Sequence, residues 1–157
     1  MKKIVLFAVA FFLVTIHVSA QEYFTGVGVR GGWGTGLTIK HFFQRKIALE
    51  GIVSTKWRGV YITGLYEIHK TAFDTPGLNW YYGGGAHIAF GNYYAGHPFH
   101  FENESYSIIG IDGIVGIEYN FRELPVNIGL DWKPALHIFG WTALRADEAA
   151  ISIRYIF

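Results

Sequence analysis

The stretch Ser107–Phe121, SIIGIDGIVGIEYNF, decides the fold. Taken alternately, Ile109, Ile111, Val115, Ile117, Tyr119 and Phe121 share one side, while Gly110, Asp112, Gly116, Glu118 and Asn120 share the other. Only an extended chain sends successive side chains to opposite faces, so a period of two marks a strand. One face is apolar and aromatic. The other joins glycine to charge, which is an odd covering for a surface that meets water.

The pattern repeats in both directions from there. Val126, Ile128, Leu130 and Trp132 oppose Asn127, Gly129, Asp131 and Lys133, and Ile151, Ile153, Tyr155 and Phe157 oppose Ser152 and Arg154. Upstream, Val27 and Val29 oppose Gly28 and Arg30; Leu37 and Ile39 oppose Thr38 and Lys40. Ile47, Leu49 and Val53 oppose Glu50, and Ile62, Tyr66 and Ile68 oppose Thr63 and Glu67. Clusters of Gly, Asn, Asp and Pro punctuate the runs and predict eight strands, at about 23–31, 36–43, 46–55, 59–69, 78–90, 107–121, 125–138 and 148–157.

Two closed sheets could carry such faces. A soluble lipid-carrying barrel turns the apolar face inward, and a membrane barrel turns it outward. Gly26, Gly28, Gly83, Gly85, Gly110, Gly116 and Gly129 all fall on the polar face, where a soluble barrel needs long solvated side chains. The interior of a narrow eight-stranded barrel has room only for side chains, so small residues beside charged ones suit it. Charged residues make up 16% of the 157, against roughly 25% in a soluble domain, too few to cover a wetted surface.

The N-terminus has a logic of its own. Lys2 and Lys3 precede an apolar run from Ile4 to Val14, and Val18-Ser19-Ala20 ends in small residues, the three-part pattern of a secretion signal cleaved after Ala20. The run falls short of the roughly 20 apolar residues that a membrane helix needs and is followed by His17. Cleavage removes Lys2 and Lys3 and moves the formal net charge from +1 to −1. With no basic run, nucleic-acid binding has no footing. The absence of Cys excludes disulfides and thiolate chemistry.

The expected fold is therefore all-β: a signal peptide at 1–20, then an eight-stranded antiparallel transmembrane β-barrel of up-and-down topology at 21–157. An even strand number puts both termini on the periplasmic side of an outer membrane of the Gram-negative type. Turns near Gln44-Arg45, Lys70–Gly77 and Arg122–Leu124 fall at that end, and loops at Gly32–Thr35, Lys56–Arg58, Gly91–Tyr106 and Phe139–Asp147 at the other. Aromatic girdles are expected at both interfaces. Tyr23, Phe24, Phe42, Phe43, Trp80, Tyr119, Phe121, Tyr155 and Phe157 are assigned to the inner girdle. Trp33, Trp57, Tyr61, Phe90, Tyr93 and Trp141 are assigned to the outer one. Pro134 has no N–H to donate and predicts a bulge, or the point where its strand leaves the hydrocarbon.

The stretches GIVGIEYNF (113–121), LPVNI (124–128), DWKP (131–134) and ISIRYIF (151–157) resemble small porin-like outer-membrane barrel proteins, related in architecture to the eight-stranded OmpA type. The likeness covers the second half of the chain, and the first half only by pattern. It implies a fold, a compartment and outer-membrane lipids as surroundings. It also implies that Ile151, Ile153, Tyr155 and Phe157 form the signal read by the barrel-insertion machinery.

The residues with most chemistry are the expected lumen charges: Arg30, Lys40, Lys133 and Arg154 facing Glu50, Glu67, Asp112, Glu118 and Asp131. Buried ions must pair, because desolvating each costs several kcal/mol. A salt-bridge plug is expected, with a structural or surface-recognition role for a monomer; a narrow solute channel is the alternative. His97, His100, Glu102 and Glu104 could ligate a metal but match no known spacing, and a solvated loop is expected. A lipid-modifying enzyme would need an organised nucleophile and base. Ser105 and Ser107 lie near those histidines, but the mature chain has no His-x-Ser pair and no Gly-x-Ser-x-Gly elbow. No catalytic residue, metal or cofactor is expected. Gly83-Gly84-Gly85 reads as close packing or a bend in a strand; His87, on the polar face of the fifth strand, is expected to be a hydrogen-bonding lumen residue, and His41, His69 and His137, near strand ends, suggest nothing further.

Overall fold

Alternating faces leave each strand with one side to hide, and a sheet that curls until its edges meet hides that side without leaving an edge. The computed structural model describes residues 24–56, 59–92, 105–140 and 142–157, and they form this closed sheet. The strands are β1 (Thr25–Gly32), β2 (Thr35–Gln44), β3 (Ile47–Lys56), β4 (Gly59–Thr71), β5 (Leu78–Asn92), β6 (Ser105–Asn120), β7 (Val126–Trp132), β8 (Ala135–Phe139), β9 (Ala143–Arg145) and β10 (Ala149–Ile156). Every pairing is antiparallel, each stave lies beside its sequence neighbour, and β1 closes on β10. At the seam Thr25 N–H donates to Phe157 O at 3.0 Å, and Phe157 N–H donates back to Thr25 O at 2.9 Å.

Ten segments make eight staves because the last two staves are each interrupted once. β7 and β8 both pair with β6 and keep register across the break, where Trp132 opposes Val115 and Ala135 opposes Asp112; the register shifts only further on, between Ile109 and Gly110. Gly113 N–H donates to Pro134 O at 2.8 Å, while the ring cannot return the bond. The extra residue lies on the other side, in the eighth stave. Ala149 opposes Trp132 and Arg145 opposes Ala135, so Ala146, Asp147 and Glu148 face only Lys133 and Pro134. Trp132 Nε1–H pins that bulge by donating to Ala146 O at 2.7 Å. The expected loop Phe139–Asp147 is thus partly strand, since β9 continues the wall beyond Pro134. Strands β5 and β6 likewise run further than the alternation suggested, to Asn92 and from Ser105.

Glycine produces the curl. A Cβ on Gly85 would stand 1.9 Å from Gly64 O, and one on Gly83 2.0 Å from Tyr66 O. Only the bare backbone lets β5 coil this tightly on β4, and glycine kinks are how small barrels curve. The turn between β4 and β5 holds Phe73 and Asp74 at φ of 51° and 50°, unusual for residues with a Cβ.

The apolar face points out: Leu37 is 64% exposed, Ile151 55% and Leu130 53%. Lys40, Glu67 and Arg154, which point in, are each 0% exposed. Two aromatics are corrected. Phe42 shares the parity of Thr38 and Lys40 and lies buried inside, and Tyr61 shares that of Thr63 and packs on Ala89 and Ile108. Position near a strand end suggested the girdle, but alternation overrides it. Tyr23, Trp57, Tyr93 and Trp141 lie outside the described residues, as do positions 1–20.

Candidate functional site: a charge-filled lumen

Seven of the eight staves send at least one charged side chain inward, and β5 sends Tyr81 and His87 instead. Alternation alone puts each of them there. Their pairing depends on height along the barrel axis, which the tilt of the strands sets.

Nearest the turns, Lys40 is the hub. Its ammonium lies 2.8 Å from Glu67, 3.2 Å from Glu50 and 3.4 Å from Glu118. Arg154 ion-pairs with Glu50, donates to Asn127 Oδ1 at 3.0 Å and reaches Thr38 Oγ1 at 3.4 Å. Thr38 also donates its hydroxyl to Glu50. His69 completes the group, with Nε2 3.1 Å from Glu67 and Nδ1 3.3 Å from Glu118. Three carboxylates thus meet two fixed cations and an imidazole that faces two of them. Ions so deeply buried are tolerable only with such dense pairing.

Tyr81 joins this cluster to the next rung. Its ring carries the Lys40 ammonium 4.0 Å from its centroid and stacks on His69 at 4.9 Å. Its hydroxyl donates to Asp131 at 3.2 Å. Asp131 in turn accepts two 2.5 Å hydrogen bonds from Arg30, a bidentate pair that ties β1 to β7. Ile52, Leu65 and Ile114 pack with Tyr81 and fill the space the charges leave.

A second group lies towards the loops. Asp112 accepts from Lys133 at 2.8 Å and lies 2.7 Å from His87 Nδ1. Lys133 also reaches Glu148 at 3.3 Å, and the His87 and His137 rings meet edge to face at 5.0 Å. Small cavities cap the lumen at each end. One of about 30 Å³ lies between Phe42, Arg45, His69 and Asn120, and one of about 20 Å³ between Arg30, Lys56, Tyr61 and Lys133. Each holds about one water.

All nine charged residues singled out from sequence are buried in the lumen: Lys40, Glu50, Glu67, Glu118 and Arg154 together, the Arg30–Asp131 pair joined to them through Tyr81, and Asp112 with Lys133 towards the loops. His69 and Tyr81 belong to the lumen as well, and their parity with Glu67 and with Gly83, Gly85 and His87 is the only sequence signal that marks them as inward. His41 instead faces out and hydrogen-bonds Thr25 Oγ1 at 2.9 Å. Ile151, Ile153, Tyr155 and Phe157 line up on the outer wall of the last stave. His97, His100, Glu102 and Glu104 lie outside the described residues, and Ser105 and Ser107 are exposed on β6. No group of three or more His, Asp or Glu among the described residues is arranged around a metal position. Comparison of the chain with known protein-family models finds no match, and comparison with curated proteins finds none either.

Proposed function

We infer that this chain is an integral outer-membrane protein, exported by a cleaved signal at 1–20, whose barrel crosses the bilayer with its lumen plugged by its own charges. The observation that carries this is the inverted distribution of polarity. Side chains such as Leu37, Leu49, Leu130 and Ile151 cover the outside, while Lys40, Glu118 and Arg154 are sealed within. A soluble protein rarely exposes more than a few hundred Å² of continuous apolar surface. Acyl chains are the natural solvent for this one.

The closed interior favours a structural or surface-recognition role over solute passage, with lipids as the permanent neighbours and the insertion machinery as a transient partner. Outer-membrane fractionation with electrophoresis of unheated and boiled samples is the test. A barrel of this kind shifts mobility on boiling and needs detergent once extracted. A mature chain freely soluble in water without detergent overturns the proposal. Steady ion conductance in a planar bilayer, altered by Glu118→Gln, would replace the plug with a channel.

A further inference from the structure

The two rims of the barrel handle their cations differently. At the loop end, Lys133 meets Glu148 at 3.3 Å and Arg145 meets Asp147 at 2.8 Å. At the turn end, among the described residues, the cations Arg45, Lys46, Lys70 and Arg122 outnumber the side-chain acids Asp74 and Glu123 together with the Phe157 carboxylate. Among the described residues none of these six side chains forms an ion pair.

Lys70 is the one of these cations on the outer wall itself. It follows inward-facing His69 on β4, is exposed, and stands directly opposite Trp80 of β5. Its ammonium lies 5.5 Å from the Trp80 ring centroid and 5.7 Å from that of Tyr82, and these two rings stack at 5.3 Å. Distances under about 6 Å are those at which a ring face attracts a cation. The rings hold the ammonium in place, but a π face accepts little from its three N–H donors. The Lys46 carbonyl accepts from His69 N–H at 2.7 Å, which ties the neighbouring turn to this end of β4.

We propose that Lys70, Trp80 and Tyr82 form a seat for the phosphate diester of an anionic glycerophospholipid. The proposal rests on the membrane-spanning reading above. Phosphate oxygens take the ammonium's free donors, the ring pair packs on the glycerol and upper acyl carbons, and the chains run along the apolar wall. The choice of an anionic lipid follows from the excess of unpaired positive charge at this rim. A zwitterionic headgroup would bring an ammonium of its own beside Lys70.

The test uses the full mature chain folded into vesicles of phosphatidylcholine and phosphatidylglycerol in equal amounts, with retained lipid measured by native mass spectrometry. Wild type should keep phosphatidylglycerol in preference to phosphatidylcholine. Lys70→Gln should cut that preference about fivefold, the factor expected for one lysine near an anionic surface. Lys70→Arg should keep it. An unchanged preference in Lys70→Gln, or none in wild type, overturns the seat. The mobility shift on boiling, run on the same samples, separates the two readings. If all three proteins shift and no preference is seen, only the seat fails. If wild type never shifts, the membrane reading falls and the seat with it.

Discussion

The two halves of the lumen do similar electrostatic work with different margins. Towards the turns, Lys40, Arg154, Glu50, Glu67 and Glu118 are at most 2% exposed, and each ion meets more than one partner. Towards the loops, Asp112 is shared by Lys133 and His87, and the Glu148 side chain is still 23% exposed. The wall follows the same gradient. Around the turn-end cluster the ladder shifts register once, between Phe42 and Gln44 at the end of β2, whereas around Lys133 it carries Pro134 and a wider three-for-two bulge. A barrel closed by its own charges tolerates a flawed wall where the enclosed ions can still reach water.

That contrast is broken or sharpened first at Lys40. Lys40→Met leaves Glu50, Glu67 and Glu118 around an apolar side chain, three carboxylates that lose their common cation. Stranding a buried partner costs about 3–5 kcal/mol. The expected outcome is a large fall in the urea midpoint of the folded barrel, or loss of the unheated band altogether. Adding Glu67→Gln to that variant should recover part of the loss, since one of the stranded charges is then gone. Lys133→Met should cost less, about 1–3 kcal/mol, because Asp112 keeps His87 and Glu148 turns to solvent. Equal losses in the same urea titration would erase the distinction between the halves.

How much of this was readable beforehand follows from what alternation can and cannot encode. A period of two assigns a face, so the inward position of Arg30, Glu118 or Arg154 is legible from the residues beside each. It does not assign a height. Arg30 and Asp131 are 101 residues apart, and they meet only because the tilt and stagger of the staves bring their rungs level. Phe42 and Tyr61 go to the wrong face, and His69 goes unremarked, where residue type and nearness to a strand end outweigh parity. Pro134 was legible as a flaw, but its compensation was not. The extra residue sits across the ladder at Ala146–Glu148, in a segment whose alanines and acids give no strand signal of their own. Nor does any glycine announce the left-handed Phe73 and Asp74.

The smallest effect, and the one that best probes the open end, belongs to Asp147. The Arg145 guanidinium donates to both of its oxygens, at 2.8 and 3.1 Å, and these hydrogen bonds hold the carboxyl below its usual pKa of 3.8. A depressed folded-state pKa adds stability that is complete above the unfolded value and is lost as pH falls through the folded one. The pair should therefore contribute at neutral pH and fade in acid below about pH 4. The Asp147 side chain is 44% exposed, so solvent screening holds the contribution below about 1 kcal/mol. Arg145→Gln should return the Asp147 titration to the ordinary carboxylate range, seen by NMR, while the urea midpoint at pH 7 moves only slightly and that small difference shrinks as the pH is lowered. A drop at pH 7 as large as that of Lys133→Met would mean that the loop-end rim braces the bulge rather than resting on it, and the gradient from sealed turns to open loops would have to be drawn the other way.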